Sequence, residues 1–172
     1  MESACNTSCL TCELRPDRKF CDLPADALQA FDAIKRTALF PRGAVLFAED
    51  HSPKGIYLLC DGRAKLSICS DNGKRLVLRI AGPGEVLGLS ATLCGSPYEV
   101  TAETADASQV VFIKRRDLLR FLKDYPQACM QVVNMLSGDL HTAYDRVRSL
   151  GLARTRRAKV PAERPHPTLI VR

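Results

Sequence analysis

Four cysteines stand close together near the start of the chain, spaced Cys5-x3-Cys9-x2-Cys12-x8-Cys21. A thiolate is both a soft metal ligand and a nucleophile, and a C-x2-C pair places two of them on one tight loop, able to grip one centre. The turn Pro16-Asp17-Arg18 lets Cys21 come back toward the pair. Four thiolates suit either a tetrahedral zinc or an iron–sulfur cluster, and the spacing does not separate the two. Thiols that bind nothing are the plainer alternative. Cys60 and Cys69 fall on expected strands and Cys129 at an apolar helix position, where a thiol behaves as a small core side chain. His51, His141 and His166 are not paired with a nucleophile at any motif spacing, so no catalytic constellation and no enzyme are expected.

Those thiols need a framework to hold them. With 172 residues, 46% hydrophobic and 26% charged, the chain can build one domain with a core and an appendage. It has no apolar run long enough to span a membrane, and the start Met1-Glu2-Ser3-Ala4-Cys5 lacks the basic and apolar regions of a secretory signal. A cytoplasmic protein without membrane contact is expected, where cysteines serve metal binding or redox sensing rather than disulfides. The net charge of +6 is uneven: residues 151–172 carry +5 of it, and the first 150 residues are near neutral. The body therefore shows no charge excess for DNA, and only the tail could touch phosphate weakly.

The period of the sequence changes twice. Pro24-Ala25-Asp26 opens a short helix with Leu28, Phe31 and Ile34 on one face and Asp26 as its expected cap. From there to residue 113 the pattern is one of short strands: Thr37–Phe40, Val45–Phe47, Gly55–Cys60, Ala64–Ser70, Arg75–Ile80, Val100–Thr104 and Gln109–Ile113. Turn signals rich in Gly, Pro and Asn separate them, and Asp71-Asn72-Gly73 marks a hairpin. Closely spaced short strands argue a small barrel or roll.

From Pro126 the pattern is helical again. Apolar residues fall at Cys129, Val133, Leu136, Leu140, Ala143, Val147 and Leu150, in alternating steps of four and three. That is an a/d heptad repeat, narrower than the stripe of a helix packed on its own domain, and it points to two parallel copies side by side. Pro126 suits a first turn, and Gly151 suits a stop. The expected organisation is a cysteine-rich segment at 1–24, a roll at 25–125, a dimerisation helix at 126–151 and a basic, Pro-rich tail at 152–172. A helix-turn-helix domain needs more than the 22 residues of 151–172, and Pro161, Pro165 and Pro167 break any helix there.

The pieces Pro41-Arg42-Gly43, Gly55-Ile56-Tyr57-Leu58-Leu59-Cys60-Asp61-Gly62, Gly82-Pro83-Gly84-Glu85 and Gly88-Leu89-Ser90 resemble the effector domain of the Crp/Fnr regulators, in that family's order and spacing. The resemblance runs from about Cys9 to Leu152. It implies an α+β fold: a cyclic-nucleotide-binding-type β-roll of double-stranded jelly-roll kind, flanked by short helices, with a long C-terminal dimerisation helix. It also implies a homodimer, or a heterodimer with a full-length relative, and a DNA-reading domain that this sequence does not show. In the nucleotide-binding members an effector cassette supplies a Glu for the ribose and an Arg for the phosphate. Here the cassette includes Gly84, Glu85, Gly88, Leu89, Ser90, Tyr98 and Glu99. Leu89 stands at the Glu position and Tyr98 at the Arg position. No cation lies between Gly88 and Val100, so cyclic nucleotide is not expected.

Loss of that chemistry together with a gain of N-terminal cysteines resembles the Fnr-like branch. There a 4Fe–4S cluster controls dimerisation, and oxygen attack on it releases the cysteine loop. The resemblance makes Cys9, Cys12 and Cys21 the ligands. The family's fourth ligand position falls at Val110-Val111-Phe112, which holds no cysteine, so Cys5 or Cys94 is left to fill it. Zinc is the alternative metal.

Overall fold

A computed structural model describes residues 8–12, 19–70 and 72–154, with side chains through residue 149. Cys5, Asp71 and the tail beyond residue 154 lie outside the described residues. Among the described residues the order is two 3-10 turns (Cys9–Thr11 and Lys19–Cys21), then α1 (Ala25–Ile34), β1 (Arg36–Phe40), β2 (Val45–Phe47), β3 (Gly55–Asp61), β4 (Ala64–Cys69), β5 (Arg75–Ala81), β6 (Val86–Leu87), α2 (Leu89–Cys94), β7 (Thr101–Thr104), β8 (Ser108–Lys114), α3 (Arg115–Asp124) and α4 (Pro126–Arg154).

The strands form two antiparallel four-stranded sheets, ordered β1-β8-β3-β6 and β2-β7-β4-β5. Period-two alternation then divides the apolar residues between two cores. On β3 and β8, Leu59 and Val110 face the roll interior and join Leu46, Phe47, Leu66, Leu87 and Tyr98. Ile56, Leu58, Cys60, Val111 and Ile113 face the other way. They pack with Leu28 and Phe31 of α1, Leu118 and Phe121 of α3, and Ala128 and Val132 at the start of α4.

Several elements differ from the sequence expectation. Asp26 is not the cap of α1: the N-cap position is Pro24, whose ring offers no hydrogen bond, and Asp26 sits in the first turn. Strand β6 is too short to show a period. On β5, Leu76, Val77, Leu78 and Ile80 are all exposed, because that strand is the edge of its sheet. Cys60 is buried as expected, but Cys69, at the end of β4, and Cys129 are exposed. The α4 helix runs through Gly151 to Arg154, since one glycine costs a helix only about 1 kcal/mol and Leu152-Ala153 are good helix formers.

The α4 helix has two working faces. Ala128 and Val132 are buried in the helical core, with Met135 and Leu136 packed against it. Of the expected seam residues, Leu136 packs on this core instead, whereas Val133, Leu140 and Val147 are 46%, 54% and 68% exposed and Ala143 is exposed too, so this part of the apolar face is uncovered among the described residues; the Leu150 side chain lies outside them. The helix crosses from one compact unit, ending at Leu136, to a second that begins at Ser137. Among the described residues no helix is long and apolar enough to cross a membrane.

Candidate functional site

The cysteine segment is built onto α1. Ser8 caps the first 3-10 turn through the Leu10 amide, and Asp32 of α1 accepts the Cys9 amide at 2.6 Å. This anchors Cys9, which is buried, with Cys12 half-buried at the end of the turn. The second turn carries Phe20 and Cys21 into the same core, where Phe20 meets Phe31 edge-on with ring centroids 5.3 Å apart. The next residue joins this segment to α4, since Gln131 Nε2 donates to the Asp22 carbonyl at 3.3 Å.

Around Cys9 the charges are arranged tightly. Lys35 Nζ lies 3.2 Å from Cys9 Sγ and 2.5 Å from Asp32 Oδ1, with the lysine side chain only 7% exposed. Burial pushes the Cys9 thiol up from its ordinary value, and the Lys35 hydrogen bond only partly offsets this. Burial would lower Lys35, yet its bonds to Asp32 and Cys9 hold it above the usual lysine value. These thiols suit a soft metal in donor chemistry. In geometry, among the described residues, no three His, Cys, Asp or Glu side chains converge as a ready metal site. Cys94, the distant candidate for a fourth ligand, is exposed at the end of α2.

The cassette residues separate. Glu85 accepts from the Gly82 amide and pairs with Arg79, and Gly84, at φ +87°, donates to the Leu59 carbonyl at 2.7 Å, so both shape a turn. Leu89 is buried in the helical core rather than in the roll. Ser90 and Glu99 are exposed. Tyr98 alone of the two ligand-matching positions enters the roll, and it fills the space there. Its ring stacks on Phe47 with centroids 4.1 Å apart, and its hydroxyl donates to the Gly55 carbonyl at 2.7 Å. The same oxygen accepts from the amides of Lys54 and Gly55. Gly88, at φ +72°, lets this ring in: a Cβ there would stand 2.7 Å from Tyr98 Cε1. The position that the resemblance matches to the phosphate-binding arginine is thus held by a tyrosine packed inside the roll.

A cavity of about 230 Å3 remains beside this plug, lined by residues that include Phe47, His51, Lys54, Tyr57 and Tyr98. Burial, with Tyr98 close by, pushes the Tyr57 hydroxyl up to about 12, so it stays protonated. Sequence reasoning missed His51 and Lys54 as cavity residues and Lys35 and Asp32 as partners of Cys9. Both groups are assembled by folding from residues far apart or of unremarkable local pattern.

The architecture is a double-sheeted roll followed by a long helix whose apolar residues Val133, Leu140 and Val147 are exposed among the described residues. Residues 38–125 match the family described as the cyclic nucleotide-binding domain, and the chain belongs to that family. Its relatives include regulators of the Crp/Fnr type. It is 28% identical over 128 residues to the transcriptional activatory protein AadR of Rhodopseudomonas palustris, covering 74% of this chain and 52% of that protein. It is 25% identical over 143 residues to the nitrogen fixation regulation protein FixK of Bradyrhizobium diazoefficiens, covering 83% and 59% respectively. The chain therefore spans little more than half the length of these relatives. In fold it resembles the sensor domain of the transcriptional regulator DNR from Pseudomonas aeruginosa, with TM-score 0.65, 21% identity, and coverage of 77% of this chain and 90% of that one. It also resembles the catabolite activator protein of Thermus thermophilus, with TM-score 0.69, 20% identity, and coverage of 77% and 62%.

Proposed function

We propose that this chain is the sensing and dimerisation module of a Crp/Fnr-type transcriptional regulator, and that its signal enters at the N-terminal thiols rather than through the roll. The observation that carries this reading is the core shared by Cys9, Cys21, Ala128 and Val132, beside which a solvent-exposed bond runs from Gln131 of α4 to the Asp22 carbonyl, next to Cys21. A change at the thiols is felt directly by the first turns of the helix that bears the seam. The cassette supports the same direction by holding Tyr98 at the position matched to the phosphate-binding arginine.

The group we assign to the thiols is a 4Fe–4S cluster on Cys9, Cys12 and Cys21, with Cys5 or Cys94 as fourth ligand, and zinc as the alternative. A cluster would supply an oxygen-sensitive inorganic centre on that segment. DNA would be read by a domain of a longer form or by a full-length relative paired through α4.

Anaerobic purification tests this. Brown protein containing iron and acid-labile sulfide, bleaching in air and losing its iron in Cys12→Ser, is the expected result. Protein with neither iron nor sulfide overturns the cluster, and colourless protein with stoichiometric zinc selects the structural metal instead. A second reading rests on the cavity of about 230 Å3 at Phe47, Tyr57 and Tyr98: a small effector other than a cyclic nucleotide binds in the roll. Thermal stabilisation of metal-free protein by such a compound, lost in a Tyr57→Ala variant, would favour it.

A further inference from the structure

Lys35 and Cys9 form a contact that a metal site does not need. A buried ammonium is costly unless it is paired, and here it is paired on two sides. Asp32 Oδ1 lies 2.5 Å from Nζ, and the same atom accepts the Cys9 amide at 2.6 Å. Asp32 Oδ2 also takes the Ser8 hydroxyl at 3.4 Å. One carboxylate therefore positions both the amine and the backbone of the thiol residue. The two reactive atoms, Sγ and Nζ, are left 3.2 Å apart, with both side chains buried.

We propose that in the metal-free protein Cys9 and Lys35 are joined by dioxygen into a covalent nitrogen–oxygen–sulfur bridge, a reversible redox clasp. The step balances as follows. The S–H bond of Cys9 and two N–H bonds of the Lys35 ammonium break, and S–O and O–N bonds form. The O–O bond of dioxygen is cleaved: one oxygen stays in the bridge and the other leaves as water. Sulfur and nitrogen each give up two electrons, and dioxygen takes all four. The surplus ammonium proton passes to Asp32 and on to solvent. Oxidation of a thiol to a sulfenic acid already places one oxygen on sulfur, which is the Cys9 half of the bridge. Two equivalents of a dithiol return the four electrons, restoring the thiol and amine and releasing the bridging oxygen as water.

The consequence is mechanical. Lys35 is the C-cap of α1 and Cys9 begins the first 3-10 turn, so the clasp ties the thiol segment to the end of that helix. It also removes Cys9 as a ligand. The inference goes beyond the proposed function and does not rest on it, because the contact belongs to the free thiol.

Intact mass spectrometry of the full chain is the test. The protein is stripped of metal with a chelator, reduced, freed of reductant under nitrogen, and then exposed to air. The expected product has gained one oxygen and lost two hydrogens. Its digest contains a peptide joining the Cys9 and Lys35 segments, and dithiothreitol reverses the change. Cys9→Ser and Lys35→Met, checked for folding by circular dichroism, should not show it. An unchanged wild-type mass, a gain of oxygen with no loss of hydrogen, or a loss of two hydrogens alone each overturns the clasp. Iron and sulfide analysis of the anaerobic protein is a separate measurement, so the two readings can fail independently.

Discussion

Tyr98 donates its hydroxyl proton to the carbonyl of Gly55 at 2.7 Å, a bond between residues 43 positions apart that closes the roll from within. Thr92 donates to the same carbonyl at 2.9 Å, so the acceptor keeps one partner if the tyrosine oxygen is removed. Tyr98→Phe should therefore cost only about 1–2 kcal/mol, mainly from the Lys54 and Gly55 amides left without it. Tyr98→Ala also deletes the ring stacked on Phe47 and should cost about 3–5 kcal/mol. Urea unfolding midpoints of the two variants give the comparison, and equal losses would mean that the stacked ring contributes nothing beyond its hydroxyl.

Gly88 and Gly73 separate backbone strain from steric exclusion. Both have positive φ, +72° and +76°, but a Cβ at Gly73 meets nothing within 4 Å, whereas one at Gly88 meets Tyr98 at 2.7 Å. Gly73→Ala should cost about 1 kcal/mol for its conformation. Gly88→Ala carries the same strain plus displacement of the plug, and should lose about 1–3 kcal/mol more. Equal stabilities in thermal unfolding would show that the Tyr98 ring moves aside freely.

Glu103 of β7 joins two neighbouring strands, accepting from Lys65 of β4 at 2.7 Å and Arg75 of β5 at 2.9 Å. The Lys65 hydrogen bond is the main reason its carboxyl lies below the ordinary value of 4.5. A carboxyl whose folded pKa is depressed contributes stability above its unfolded pKa and loses it as pH falls through the folded one. The contribution is below about 1 kcal/mol, because the lysine and arginine are solvent-facing. In Glu103→Gln the fall in stability below pH 4.5 should be shallower than in the parent, and parallel acid limbs in the two denaturation profiles would refute the assignment.

How far these relationships were legible in the sequence follows from their range. Strand positions and the roll came through because alternation and glycine turns are local signals, as in the Gly73 hairpin, where the Gly73 amide meets the Ser70 carbonyl at 2.7 Å. The long helix α4 was legible for the same reason. What period cannot reveal is which of two cores a residue joins. Leu89 and Tyr98 both lie in the cassette, yet one enters the helical core and the other the roll. The pairing of Cys9 with Lys35 spans 26 positions and depends on α1 folding against the first 3-10 turn, so no spacing rule marks it.

The α4 helix offers the sharpest test of the split between holding the fold and holding a partner. Val132 is 3% exposed in the helical core, and Leu140 and Val147, on the seam, are 54% and 68% exposed. An aspartate at 132 would bury an unpaired charge and should destabilise the domain by about 3 kcal/mol or more. At Leu140 or Val147 the same residue meets water in the single chain, so the monomer should keep its unfolding midpoint within about 0.5 kcal/mol. In a paired helix it would face its own copy across an a/d seam, where like charges and lost apolar burial act together. Leu140→Asp should therefore weaken self-association at least about tenfold, and Leu140→Asp with Val147→Asp should leave only monomer by sedimentation velocity. A sedimentation profile unchanged by the double substitution would assign the seam to some other contact, whereas an unfolded double variant would show that these residues hold the chain's own fold.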